Sequence, residues 1–389
     1  MRLKKILASI VALALAGLIG FFLFVPAYVE KARNAVKPHD PYPVSARAQS
    51  LHDSLIIGDW HADPLLWNRD LSKRASRGQV DVPRLLEGNV ALQVFTAVTK
   101  SPKGLNYENN DADAFDNITL LAFGQLWPPR TWTSLLERAL FQADKLHRVE
   151  AASGGALRII RSRDDLEEVL ARRAQGEKVV GGLLGIEGAH PLEGKLENLD
   201  KLEDAGYRLI ALQHFFDNEL GGTLHSNARL GLTDFGRAVV QEVAKRGLVL
   251  DVAHSSEQVV AEVLDMVDIP VVLSHTGLRS HCETRRNIPD ALVRRIAATG
   301  GVIGIGYWQE VTCDDSPAGI AATVKAAIAA VGEDAVSLGS DFDGSVVMAL
   351  DTAELAAITQ ALLDAGLSDT QIRKVMGENM LRVLRARLK

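Results

Sequence analysis

From Leu51 to the C-terminus, short runs of Val, Ile, Leu and Gly alternate with longer stretches whose apolar positions recur every three or four residues. Eight such runs read as strands: Leu55–Gly58, Val90–Val98, Val179–Ile186, Arg208–Gln213, Val249–Ala253, Val271–Ser274, Val302–Tyr307 and Val336–Gly339. Most lack a clean apolar–polar alternation, as expected of parallel strands covered on both faces. The segments between them carry helix punctuation. "SRDDLEEVLARRAQGE" has acidic residues in its first turn and Arg in its later turns, matching the helix dipole. "TDFGRAVVQEVAKRG" opens on Thr233, an N-cap residue type, and stops near Gly247. "DTAELAAITQALLDAG" and "SDTQIRKVMGENMLRVLRARL" repeat the scheme near the end. Eight strands alternating with helices predict an α/β fold, a (β/α)8 TIM barrel. The long span Ser101–Arg161, between the second and third runs, contains helical pieces and is expected to cover part of the barrel mouth.

The first fifty residues follow a different pattern. Arg2, Lys4 and Lys5 precede Ile6–Val25, about twenty residues without a charge and long enough to cross a bilayer as a helix. Basic residues on the short leading side predict that the start stays in the cytoplasm and the remainder is exported, to a periplasmic or extracellular location. A cleaved signal peptide is the competing reading, because Val25-Pro26-Ala27 resembles a small-residue cleavage site. The apolar run is longer than the usual signal core of about 7–15 residues, which favours an uncleaved anchor. The expected organisation is an N-terminal transmembrane anchor over residues 1–28, a Pro-rich linker over 29–50 and the barrel over 51–389.

Composition narrows the classes further. At 389 residues and 47% hydrophobic, the chain is long enough for one large barrel domain. The formal net charge is −6, with no long Lys/Arg run and no interleaving of aromatic and basic residues, so no nucleic-acid partner is expected. "GGVIGIG" lacks P-loop spacing and reads as tight backbone packing in a strand. Cys282 and Cys313 are the two cysteines. In an exported protein they can form one bridge, free buried thiols being the alternative.

Candidate chemistry lies at the strand ends. His61 and Asp63 follow the first run, Glu187 the third, His214 the fourth, His254 the fifth, His275 the sixth and Asp341 the eighth. His61 and Asp63 are two apart, a spacing that puts both on one face of an extended strand. Taken singly, each of these residues reads as an ordinary polar strand end or a hydrogen-bonded core group. Their coincidence at the ends that converge on a barrel's mouth points to a site. The other histidines (His39, His52, His147, His190, His225 and His281) scatter over linker, helix and loop. Histidine and carboxylate ligands suit Zn2+ and similar ions. Seven groups exceed the needs of one tetrahedral ion. They suit two ions bridged by a carboxylate, which hold a hydroxide and clamp a substrate oxygen. A carboxylate outside the ligand set can then shuttle protons.

These residues sit in the motifs "GDWHAD", "GIEGAHPLEG", "LQHFFDNELGG", "GLTDFGRAVVQEVAKRGLVLDVAH", "VVLSHTGLRSHCETRRNIPD" and "SLGSDFDG". In that order the chain resembles the membrane dipeptidases, the renal-dipeptidase-like zinc peptidase family M19, within the metal-dependent hydrolases built on TIM barrels. The resemblance runs from about Leu51 to Leu384. It implies a zinc-dependent dipeptidase acting by metal-bridging hydroxide attack on a small dipeptide, with D-residues accepted at the C-terminal position. It implies two Zn2+, the first on His61 and Asp63, the second on His254 and His275, with Glu187 bridging. It also implies that His214 contacts the substrate and stabilises the oxyanion, that Arg286 holds the substrate carboxylate and that Asp341 carries the proton from water to the leaving amine. On the residues alone nothing singles out Arg286 over Arg285, and both read as solvated loop charges.

The same resemblance implies a Cys282–Cys313 disulfide and an oxidising location. Many relatives are dimers, so a homodimer stays open. There are departures from the family pattern. Trp60 stands where many relatives have Gly, and Ala62 where many have a polar residue. "QHFFDNELGG" lacks the Ser that follows this His in mammalian members. The ligand set remains complete, while a bulky Trp60 either repacks the barrel wall or narrows the pocket. Two alternatives accompany the dipeptidase reading. Another binuclear-metal amidohydrolase, acting on a lactone, cyclic amide or phosphoester, often carries a bridging carboxylated Lys, and here Glu187 ends the strand instead. A non-catalytic anchored barrel that binds metal or peptide is disfavoured by the filled ligand positions.

Overall fold

The computed structural model describes residues 2–389. Its centre is one parallel sheet of nine strands: β1 (Ile57–Ala62), β2 (Val90–Val98), β3 (Leu157–Ile159), β4 (Val180–Glu187), β5 (Tyr207–Ala211), β6 (Val249–Asp251), β7 (Val271–Thr276), β8 (Val302–Ile305) and β9 (Val336–Leu338). Eight of them run in the order β1-β2-β4-β5-β6-β7-β8-β9. The backbone closes the ring between β9 and β1. The Asp63 amide donates to the Phe342 carbonyl at 2.8 Å, and the Asp341 amide to the His61 carbonyl at 3.0 Å. The Asp59 carboxylate staples the same seam, accepting the His61 amide at 3.0 Å and the Ser340 amide at 2.9 Å. The expected (β/α)8 barrel is therefore present, and it closes through the backbone of its candidate site.

Two expectations need correction. The first strand is expected over Leu55–Gly58, but β1 spans Ile57–Ala62. Its polar side chains hide a backbone that still pairs with the last strand. The ninth strand, β3, was not foreseen. It pairs with the first half of β4 (Leu157↔Val180 to Ile159↔Gly182), while β5 takes Leu184 to Ile186 on the same edge. Three residues are too few for any periodicity to register. The seven other expected strands differ from the observed ones by two residues or fewer at either end.

The helix punctuation holds. The Thr233 side chain caps Asp234–Arg246 by accepting the Gly236 amide, and Gly247 ends it at φ 84°. Ser162 and Asp165 form a reciprocal capping box at the start of Arg163–Ala174. The final helical stretch is broken between Asp369–Arg373 and Asn379–Arg387. There Gly377 packs so closely on β1 that an added Cβ would lie 1.9 Å from the Ile56 carbonyl oxygen.

Trp60 alternates with Asp59 and His61 and points away from them. It is fully buried in a cluster with Leu92, Val94, Met380 and Leu384, between the barrel wall and the last helix. Of the two outcomes open to it, the residue repacks the wall and leaves the pocket alone.

The N-terminal segment forms one helix, α1 (Arg2–Arg33), which runs past the expected boundary at residue 28. Its apolar part reaches a mean hydropathy of 2.7 with none of that window buried, so by length and composition it can cross a membrane. Beyond that part the chain is laid onto the barrel. Glu30 is buried and pairs with Arg69 at 2.5 Å and Arg77 at 2.7 Å. Val36 pairs with Met348, and Ser45 caps a helix over Ala46–Asp53. The expected linker is thus ordered against the domain it was to tether.

Candidate active site

Each candidate group reaches the mouth because a strand delivers it there. His61 and Asp63 come from the end of β1, and Glu187 is the last residue of β4. His214 lies just beyond β5, His254 just beyond β6, and Asp341 beyond β9. His275 is inside β7, a correction to its expected place after the strand. His254 and Asp341 both take left-handed backbone conformations, at φ 62° and 64°. For residues other than glycine that costs energy, and such positions concentrate at functional sites.

Glu187 is the hub of the cluster. One carboxylate oxygen lies 3.3 Å from His61 Nε2, 3.2 Å from His254 Nε2 and 3.4 Å from His275 Nε2. The other lies 3.3 Å from His214 Nε2. His61 Nε2 also faces Asp63 at 3.6 Å and Asp341 at 3.8 Å. His254 Nε2 and His275 Nε2 point at each other, 2.9 Å apart. All seven residues are buried.

This donor set fits divalent cations. Three carboxylates lie together out of water, an arrangement that matching positive charge stabilises. Both ring nitrogens of His61 are buried without any hydrogen-bond partner, and Nε2 aims at the carboxylates. Three overlapping groups (His61–Asp63–Glu187, Glu187–His254–His275 and His61–His275–Asp341) hold ligand atoms within 4.8 Å of one another. Burial, with Arg286 or His61 nearby, holds His254 and His275 well below the usual imidazole range. Neutral imidazole is the form that offers a lone pair to a metal. Burial opposes the charge on Glu187, yet His214 and His61 outweigh it and keep the carboxylate well below its usual range. Asp341 goes the other way. Burial first, then Asp63 and Glu187, push it well above the usual carboxylate range.

A supporting layer orients the donors, as metal-site histidines require. Ser274 Oγ lies 2.8 Å from His275 Nδ1, and Thr96 Oγ1 donates to Asp63. His225 Nε2 lies 2.8 Å from His254 Nδ1. His225, one of the scattered histidines, lies in a loop as expected, yet that loop brings it to the site. No spacing within "GGTLHS" links it to His254. The usable signal was chemical: a ligand histidine needs a partner on its second nitrogen. Tyr107 was also missed. It lines the same cavity and its hydroxyl accepts a hydrogen bond from Trp308 Nε1 at 3.0 Å.

The two arginines separate clearly. Arg285 is spent on the Leu224 carbonyl at 3.0 Å, the Ser226 carbonyl at 2.6 Å and the Asn227 side chain at 2.8 Å. Arg286 is buried on the cavity wall, donates to the His275 carbonyl at 2.7 Å, and keeps an Nε with no partner. The expectation that both are solvated loop charges fails for Arg286. Cys282 and Cys313 are joined as a disulfide across 31 residues, beside the loop that carries Arg286.

The cavity measures about 610 Å³. Asp63, Glu187, His214, His254, Arg286 and Asp341 line one end, and α1 with the long insert after β2 lines the other. The insert therefore does cover part of the mouth.

Known proteins bear on this arrangement. A family model described as membrane dipeptidase (peptidase family M19) matches residues 45–388. A dipeptidase of Claviceps purpurea, tcpJ, is 28% identical over 317 residues, covering 79% of this chain and 69% of the relative. The Aspergillus oryzae dipeptidase aclJ is 28% identical over 384 residues, covering 90% and 84%. A metallopeptidase of Rhodobacter sphaeroides, solved with a phosphinate mimic of the dipeptide L-Ala-D-Ala, superposes with a TM-score of 0.70 at 22% identity, covering 86% of this chain and 99% of that one. At that identity the superposition speaks for a shared fold.

Proposed function

This chain belongs to the membrane dipeptidase family, peptidase family M19, and is a metallo-dipeptidase; from that premise we propose that it cleaves dipeptides with a free C-terminal carboxylate, D-residues included at that position, at a pair of zinc ions in the barrel mouth. Arg286 carries the proposal. A buried guanidinium with an unused donor matches a carboxylate. Its Nη2 lies 3.4 Å from His254 Nε2, so a carboxylate held there would sit beside the donor cluster, as a short substrate requires.

His61 and Asp63 would hold one ion, His254 and His275 the other, and Glu187 would bridge them. When bound, the ions supply Lewis acidity that activates water and polarises a carbonyl. The remaining steps belong to the chain's own side chains. His214, with Nδ1 held 3.1 Å from the Lys100 carbonyl, turns Nε2 into the cavity to stabilise the developing oxyanion. Asp341, a buried carboxyl with raised proton affinity, takes a proton from the attacking water and returns it to the leaving amine. Arg286 fixes the substrate's register. We place the enzyme on the outer side of a membrane, held by α1. The leading Lys and Arg residues and the Cys282–Cys313 bridge support that placement.

The test compares kcat/KM for Ala-D-Ala, Ala-L-Ala and their C-terminal amides, using full-length protein loaded with zinc. Both free acids are expected to be cleaved. The amides are expected to fall by at least about 30-fold, the cost of leaving a buried charge unpaired. Equal turnover of acid and amide would remove Arg286 from the role given to it.

A further inference from the structure

Seven large apolar side chains outside α1 are markedly exposed among the described residues, and five of them fall in one stretch. Leu105, Phe115, Leu120, Phe123 and Leu126 are between 42% and 65% exposed, all in the insert after β2. Scattered exposed apolar residues need no explanation, but a gathered patch marks a binding surface. From Asn117 to Trp127 the insert contains no charged residue. Its helix, Asn117–Gly124, packs on α1. The Phe123 ring lies 5.5 Å from that of Phe22. An added Cβ on Gly124 would lie 3.8 Å from Pro26 and 3.9 Å from Phe21.

The contact with α1 sets a depth. Ile6–Val25 as a helix is about 30 Å long, the thickness of a bilayer's hydrocarbon core. Phe21 and Phe22 lie about 5 Å inside its outer end, at 1.5 Å per residue. Phe123, touching Phe22, is carried to that same depth. We propose that residues 115–126 form a collar whose Phe115, Leu120, Phe123 and Leu126 side chains enter the outer leaflet of the bilayer, so that the active-site cavity opens at the membrane surface. Insertion by about 5–10 Å is what interfacial apolar helices reach. The cavity agrees, since Leu120 of the collar and Phe21 and Pro26 of α1 line it together with His214, Arg286 and Asp341. A dipeptide then enters along the headgroup layer. The proposal rests on α1 spanning the membrane.

The experiment uses full-length protein in phosphatidylcholine–phosphatidylglycerol vesicles and a lipophilic carbene photoprobe confined to the acyl region, with adducts mapped by peptide mass spectrometry. Adducts are expected on α1 and on residues 115–126, several-fold above peptides from the barrel's outer helices. Labelling of α1 with only background on 115–126 overturns the collar and leaves the anchor standing, whether the patch is then bare or covered by a second copy or another protein. Background on both overturns the anchor and the collar together.

Discussion

Asp341 allows the proton-transfer role to be tested with little structural disturbance. Its φ of 64° lies in the left-handed region, which asparagine tolerates about as well as aspartate. Asp341→Asn is expected to keep the metal content and lower kcat by about 10²–10⁴-fold, the usual worth of a general acid–base. Unchanged kcat in a fully loaded variant would exclude Asp341 as the proton carrier. Lys145 offers a test away from the donor cluster. Burial, aided by Arg69, pulls its amine down to about 7. The unfolded chain binds that proton up to a pH near 10.4, so the folded state is penalised in full below pH 7. The penalty fades as pH rises toward 10.4. Relative to Lys145→Met, the native protein should gain stability between pH 7 and 10, and parallel denaturation curves would contradict the burial. At this scale the sequence was informative where residue type met strand position, as for His61, Asp63, Glu187, His254 and His275. It was silent where a role depends on a partner far along the chain, as for His225 against His254 and for the choice between Arg285 and Arg286.

Elements explain what these residues rest on. β1 was read too short because its polar side chains mask a strand whose backbone closes the barrel. Helix ends were legible because caps are local chemistry: Thr233 and Gly247 each act within a turn of themselves. β3, at three residues, left no pattern to read. Trp60 belongs to the wall, and its Nε1 has no partner to lose. Trp60→Ala should cost about 3–5 kcal/mol of stability by cavity formation. Trp60→Phe should cost much less and leave kcat/KM essentially unchanged, whereas a changed preference among substrates would mean that the residue reaches the pocket after all. The disulfide acts on the loop that bears Arg286. The Asn287 side chain donates to the Cys282 carbonyl at 2.9 Å and accepts the Gly277 amide at 2.7 Å, so the bridge and this asparagine brace the loop together. Replacing both cysteines with serine opens a 31-residue separation and is expected to cost about 3–4 kcal/mol. It should also raise KM more than it lowers kcat, because Arg286 grips the substrate and takes no part in proton transfer. A fall in kcat alone would place the loop's role elsewhere.

At the scale of the whole molecule, the barrel was legible because eight apolar runs alternate with capped helices, a pattern that few other architectures satisfy. The relation of α1 to the barrel was not. The apolar run is long enough for a membrane span, but only tertiary contacts, among them Glu30 with Arg69, bring its outer end to the wall of the active-site cavity. The outer end of α1 and the active-site cavity thus form one surface. Buried carboxylates and imidazoles in the barrel mouth form a donor set that metal charge would balance and metal chemistry would use. The most direct test is the hydrolysis of Ala-D-Ala by metal-stripped full-length protein as zinc is returned. Turnover should be absent at the start and reach its plateau at two equivalents per chain. Hydrolysis that persists without metal, or a site filled with zinc that cleaves no dipeptide, would contradict that role for the donor set.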